Sequence, residues 1–231
     1  MMSIWQEKCI FTPSLITLDM CNLESQVREL ETAGIKVLHI DILDGHFSPS
    51  MPLGLETVRQ LRKKTDLMFD VHLMATENDY FVDELLDIGV QQLVFHAETE
   101  AHIDNRLNQI HNKGVRAGVA LKPSTPLSVI EYVLEKCDTV LLMLINPGYA
   151  GHAHEKQVHY AARKVADLRS MINKAGLPTL IEIDGRISKD NIRQYGKDAV
   201  ELFVAGSTCI YRTAIAESVK SLNDIRTELV G

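Results

Sequence analysis

Apolar and polar positions along this chain alternate in blocks rather than residue by residue. Short runs rich in valine, isoleucine and leucine fall at 9–16, 36–43, 67–74, 90–96, 115–121, 139–145, 179–184 and 200–205. Each run is nearly continuous in apolar residues. That is the pattern of a strand buried on both faces, not of one with a wet face. Between the runs lie amphipathic, helix-period segments, among them 23–33, 78–88, 155–174 and 188–195. Pro126 follows Thr125 and is placed to open a further helix, with the threonine as its cap. Gly34, Gly89, Gly114 and Gly176 each follow a helical segment and fit the position just past a helix end, where φ is positive.

Eight strand-plus-helix units in a chain of 231 residues predict an α/β fold: a single-domain (β/α)8 barrel over residues 1–231. The alternative is an open doubly wound sheet. It would be favoured by a G-x-G-x-x-G turn after the first strand, and the thirteen glycines contain no such spacing. No linker, low-complexity stretch or break in composition divides the chain.

Composition narrows the function. The formal net charge of −7 comes without a basic stripe, which argues against a nucleic-acid partner. No run of about 18 apolar residues marks a membrane span. The first residues show no basic stretch leading into an apolar one, so no secretory signal is expected. Cys9, Cys21, Cys137 and Cys209 are scattered with no C-x-x-C pair, as expected for reduced thiols in a cytoplasmic enzyme. An anionic substrate of such an acidic chain must be held by backbone amides or single cations.

The chemistry concentrates at strand ends. In L-H-I-D-I-L-D-G-H-F, residues 38–47, His39 and Asp41 are two apart and share one face of a strand. In a barrel that face near the C-terminal end is the mouth, where the fold keeps its chemistry. The pair is either half of a metal site or a hydrogen-bonded His–Asp pair within a strand. In F-D-V-H-L-M, residues 69–74, His72 closes the third run in the same register. Asp70 either orients that imidazole or pairs with a neighbouring strand. His96 and Glu98, ending the fourth run, read as polar support rather than ligands. Asp184 ends the seventh run in I-E-I-D-G-R; a helix cap is the alternative role, for which Ser188 is better placed. Two imidazoles and two carboxylates converging on one mouth need something to hold. N-P-G-Y-A-G-H, residues 146–152, and V-A-G-S, residues 204–207, are glycine-bearing turns that let amides approach an anion, and barrels bind phosphate in such loops.

These motifs, together with P-S-L at 13–15, follow one another in an order and spacing that resemble the ribulose-phosphate 3-epimerase family over nearly the whole chain. The resemblance implies a TIM barrel of the ribulose-phosphate-binding type. It implies that His39, Asp41, His72 and Asp184 bind one divalent metal cation (Zn, Fe(II), Mn or Co), and that Asp41 and Asp184 are the catalytic proton-transfer pair. It places Ser14, His72, Met74 and Met143 against the substrate, and Gly148, Tyr149, Ala150, Gly151, Gly185, Arg186, Gly206 and Ser207 around its phosphate. It also implies a phosphorylated ketose substrate and a homo-oligomer, a dimer or hexamer. The chain departs from the family pattern at four positions. The family has methionine where Leu43 stands, asparagine at Ser50, a second glycine at Arg186 and often glutamine at His152. A hexulose 6-phosphate such as allulose 6-phosphate is therefore an alternative to the pentulose 5-phosphate.

A proton alpha to a ketone is too weakly acidic for an unaided carboxylate. A metal on the C2 carbonyl oxygen and C3 hydroxyl would stabilise an enediolate. One aspartate would take the C3 proton and the other return one from the opposite face. A metal-free sugar-phosphate lyase or decarboxylase is a rival, but it calls for a lysine at the mouth, and only Lys122 stands at a comparable strand end. A non-catalytic sugar-phosphate sensor is a third class.

Overall fold

The computed structural model describes residues 4–231. Eight strands alternate with helices: β1 Ile10–Pro13, α1 Leu23–Thr32, β2 Val37–Leu43, α2 Leu55–Arg62, β3 Met68–Met74, α3 Asn78–Ile88, β4 Gln92–His96, α4 Ile103–His111, β5 Arg116–Leu121, β6 Thr139–Met143, α5 Ala161–Ala175, β7 Leu180–Asp184, α6 Lys189–Tyr195, β8 Leu202–Ala205 and α7 Ile215–Val230. The strands form one parallel sheet in the order β1-β8-β7-β6-β5-β4-β3-β2. A single bridge between Ser14 and His39 joins its two edges. The chain is a (β/α)8 barrel.

The apolar runs form strands because both faces are covered. The outer face packs on the helices in a continuous apolar layer that includes Phe69, Phe95 and Phe203. Each such buried ring contributes roughly 2–3 kcal/mol. The bottom of the barrel is plugged by Ile4, Ile10, Val37 and Leu202. Between plug and mouth one side of the interior is apolar, with Val94, Ala120 and Leu141 buried together, and the rest is polar: Thr12, His39, Asp70, His72, Gln92, Thr139 and Glu182 are fully buried. Branched aliphatic residues are the usual filling there, so this polar layer marks where stability has yielded to function.

Several boundaries differ from the sequence reading. The first run, 9–16, holds a strand only to Pro13, after which residues 15–17 turn as a 3-10 helix. Thr125 does not cap a helix. Its hydroxyl donates to Glu98, Pro126 is extended, and the segment winds as short 3-10 turns at Leu127–Ile130 and Leu134–Lys136. The helix expected from 155 begins at Ala161. Glu155 is drawn off to accept from the Asn146 backbone and side-chain amides, and Gln157 is drawn off to the turn after β7. Ser188 caps α6 through a capping box with Asn191, as expected. Gly34, Gly89, Gly114 and Gly176 all have positive φ. The four cysteines are free. Among the described residues no helix is long and apolar enough to cross a membrane.

Candidate active site

The strand register assembles the site. β2 and β3 pair with Asp41 opposite His72 and His39 opposite Asp70, and β6 and β7 pair with Met143 opposite Asp184. Alternation along each strand turns these side chains to one interior face. As a result His39, Asp41, His72 and Asp184 each offer one ligand atom, and these four atoms all lie within 4.8 Å of one another.

The hydrogen bonds show which atoms are left over. His39 Nδ1 lies 2.8 Å from Asp70 Oδ2, while its Nε2 faces Asp41 Oδ1 at 3.6 Å. His72 is turned the other way. Its Nε2 lies 2.9 Å from His96 Nε2, and its Nδ1 faces Asp41 Oδ1 at 3.6 Å and Asp184 Oδ2 at 4.0 Å. His96 Nδ1 in turn lies 2.8 Å from Glu98 Oε2. The Glu98 carboxylate accepts the proton of His96 Nδ1, so His96 Nε2 is an acceptor and His72 Nε2 the donor to it. That leaves a lone pair on His72 Nδ1, aimed at the cluster. His39 Nε2 and His72 Nδ1 are the two imidazole nitrogens that are buried without a hydrogen-bond partner. An orphaned buried nitrogen is costly. Two of them, facing two carboxylates, fit a divalent cation bound by histidine and aspartate.

Each aspartate keeps one oxygen for the cluster and anchors the other. Asp41 Oδ2 accepts from the Ser14 hydroxyl at 2.7 Å, and Asp184 Oδ1 from the Gly185 amide at 2.6 Å. Their electrostatics diverge. Burial alone would raise the Asp41 carboxyl, but the pull of the His39 ring, and after it of the His72 ring, each with a nitrogen 3.6 Å from Oδ1, outweighs burial and holds it below its ordinary value. Burial, followed by the Asp41 charge, pushes Asp184 up. Paired carboxylates whose environments pull them apart are the usual mark of a base and an acid.

Beneath the cluster lies a layer that the sequence reading caught only in part. Asp70 pairs with His39 on the neighbouring strand, not with His72, because parallel register sets it beside residue 39. Its other oxygen accepts from Gln92 Nε2 at 2.8 Å. Glu182 was missed. It lies 3.3 Å from His39 Nδ1, and burial with the Asp70 charge raises its carboxyl well above the usual range. Among the described residues neither of its oxygens makes a hydrogen bond, and burial beside Asp70 favours its neutral form. The signal was present: Glu182 stands two before Asp184 and shares its face.

Above the cluster a cavity of about 230 Å³, open to solvent, is lined by Ser14, Asp41, Met74, Met143, Gly148, Ala150, Gly151, Asp184, Gly185, Arg186, Gly206 and Ser207. His39 and His72 lie below it, fully buried. Tyr149 is elsewhere: it lines a recess beside Phe47 and Lys122. Val204, which opens the V-A-G-S turn, also lines the mouth, as do Ile16, Thr17, Ile145 and Thr208; these last four are ordinary strand-end and turn residues that no motif singled out. Gly148 has φ 82° and its α-carbon packs on Ser48, where an added Cβ would lie 1.9 Å from Oγ. Gly185 has φ 113°, and a Cβ there would meet the Ile145 backbone nitrogen at 2.9 Å. Arg186 also has a positive φ, 53°, a left-handed backbone that costs a residue with a side chain about 1–2 kcal/mol. Its Nη2 donates to the carbonyls of Ala150 at 2.9 Å and His152 at 2.8 Å. Leu43 and Ser50 line the cavity, whereas His152 is exposed and stacks edge-on with Tyr149. Lys122 sits 4.1 Å over the Phe47 ring, outside the cavity that holds the aspartates.

Known proteins agree with this geometry. The model of the ribulose-phosphate 3-epimerase family matches residues 10–210. The chloroplastic ribulose-5-phosphate-3-epimerase of Arabidopsis thaliana is 37% identical over 92% of this chain and 75% of its own length. The ribulose-phosphate 3-epimerase of Bacillus subtilis is 35% identical over 93% of this chain and 96% of its own. In structure, 3-keto-L-gulonate-6-phosphate decarboxylase from Vibrio cholerae superposes with a TM-score of 0.73 over 97% of this chain and 100% of its own, at 10% identity, a likeness of fold alone. With the matched model spanning all eight strands and the His/Asp cluster in place, the chain belongs to the ribulose-phosphate 3-epimerase family and is an epimerase.

Proposed function

We propose that this enzyme inverts C3 of D-ribulose 5-phosphate to give D-xylulose 5-phosphate, with Asp41 and Asp184 as its acid and base and an enediolate between them. The observation that carries the reading is the pair of orphaned imidazole nitrogens facing those two carboxylates. His39, Asp41, His72 and Asp184 would hold one divalent cation, and their mixed donors suit Zn, Fe(II), Mn or Co. Bound there, it supplies positive charge beside the substrate oxygens on which negative charge develops.

The chain's own residues do the proton transfer. Asp41, held ionised, takes the proton from C3; the bonding pair of that C–H moves to C2–C3 and the carbonyl oxygen gains charge. Asp184, on a strand across the barrel, returns a proton to the opposite face of C3. The roles exchange in the reverse direction. Ser14 keeps Asp41 pointed at its work. Met74 and Met143, both buried at the cavity wall, keep water from the flat intermediate. With net charge −7, long-range attraction does not gather the anion. The amides around Gly148, Gly185 and Gly206, with Ser207, seat the phosphate, and that remote binding positions C3.

The test is metal analysis of the purified protein together with an epimerisation screen on ribulose 5-phosphate and allulose 6-phosphate. About one metal per chain and inversion of ribulose 5-phosphate with the higher kcat/KM are expected. Preference for the hexulose phosphate would transfer the assignment to that substrate. Release of carbon dioxide from a keto-acid sugar phosphate, with no epimerisation, would sink it.

A further inference from the structure

Two loops at the mouth hold each other by their side chains. Arg186, in the turn after β7, donates from one guanidinium nitrogen to the carbonyls of Ala150 and His152 in the β6–α5 loop, at 2.9 and 2.8 Å. Gln157, farther along that loop, reaches back. Its Nε2 donates to the carbonyls of Gly185 and Arg186 at 2.8 and 3.1 Å. Each loop's side chain thus satisfies the other's backbone. The links are also rooted: Gln157 Nε2 lies 3.1 Å from Asn191 Oδ1, and Asn191 belongs to the capping box that starts α6.

The clasp joins two functional parts. One link falls on the segment carrying Gly148, Ala150 and Gly151. The other falls on the peptide next to Asp184. Residues 150–154 are exposed, so no apolar burial fixes this part of the loop, and a segment with few buried contacts opens readily. The glycine that the family pattern has at this position could make no side-chain link. Here an arginine does so even though its backbone is left-handed.

We propose that Arg186 and Gln157 form a two-way clasp that sets the phosphate-facing amides of the β6–α5 loop in place relative to Asp184. Arg186 is a positioning residue that acts through loop carbonyls, not through its charge on the anion. The inference rests on the phosphate seat described above.

The experiment uses the full chain and four proteins: wild type, Arg186→Gly, Arg186→Lys and Gln157→Ala. Arg186→Gly relieves the left-handed backbone, so its folding is not at risk. Three quantities are read: hydrogen–deuterium exchange of the amides at 148–152, the Kd for inorganic phosphate, and KM against kcat for the ketose phosphate. Arg186→Gly and Gln157→Ala should each speed exchange about tenfold and weaken phosphate by a similar factor. Their KM for the ketose phosphate should rise more than kcat falls. Arg186→Lys, which keeps the charge but loses the fork, should behave like Arg186→Gly. Exchange unchanged in Arg186→Gly overturns the clasp. So does wild-type phosphate affinity in Gln157→Ala and Arg186→Lys beside weak affinity in Arg186→Gly, the pattern of a direct charge contact. Exchange needs no turnover, so a wrong substrate would leave the clasp standing while removing the proposed reaction.

Discussion

The two ends of the mouth are held by different means. At one end His39, Asp41, His72 and Asp184 hang from β2, β3 and β7, and hydrogen bonds to Asp70, His96, Ser14 and Gly185 fix their orientation. At the other end the backbone proposed to face the phosphate lies on loops, partly exposed, and is tied by Arg186 and Gln157. Groups that must meet a reacting carbon within fractions of an ångström sit on the sheet, where packing settles their rotamers. Groups that must admit and release an anion sit on loops, where a few hydrogen bonds decide how often they open. Substitutions at the first end should therefore act on the chemical step, and substitutions at the second on binding.

The largest effect is expected at the sheet end. Asp41→Asn or Asp184→Asn keeps shape but removes proton transfer, and should lower kcat by about 10³–10⁴ with metal supplied and the circular dichroism spectrum unchanged. Near-normal kcat in Asp184→Asn would dissolve the difference between the two ends. His72→Ala should lower metal affinity by at least about 100-fold, since one ligand of four is gone; elemental analysis showing full metal content would remove His72 from the ligand set. At the loop end, a free ketose lacking phosphate should react with kcat/KM lower by roughly 100-fold. Equal constants for the free and phosphorylated sugars would mean that the loops do not bind phosphate.

The smallest effect concerns pH and belongs to the support behind His72. Burial pushes His96 down to about 4 against the pull of the Glu98 hydrogen bond. Burial raises Glu98, but the hydrogen bonds of His96 and Thr125 outweigh it and hold it at about 2. Both folded-state values lie below the ordinary ones. The unfolded chain therefore binds these protons first as pH falls, and stability is lost from about pH 6.5 to 4 through His96 and from about 4.5 to 2 through Glu98. Glu98→Gln should flatten the lower part of an acid-unfolding curve; an unchanged curve would show that Glu98 plays no such role.

The sheet end was largely readable in the sequence. A period of two put His39 with Asp41 and placed His72 and Asp184 at strand ends, and the parallel register brought them together. Partners across strands were less readable. Sequence leaves Asp70 open between His72 and a neighbouring strand because it does not give register, and register sets it against His39. Glu182 is harder to read because a carboxylate inside an apolar strand finds its partner, His39, only across the barrel interior. The loop end was least readable. Glycines marked a turn, but nothing in residues 155–157 says that Glu155 and Gln157 leave the helix to bond loop backbone, or that the Arg186 fork turns to two carbonyls.

Running the reaction on ribulose 5-phosphate in D2O, with metal supplied, tests the central claim most directly, with C3 followed by proton NMR. Two aspartates on opposite faces predict one deuterium at C3 of every xylulose 5-phosphate formed, while substrate recovered early in the reaction stays unlabelled. Asp41 takes the original proton and Asp184 returns one drawn from solvent. Product that retains its original C3 hydrogen would contradict the account. So would recovered substrate labelled as fast as product, because either result means that a single group removes and returns the proton.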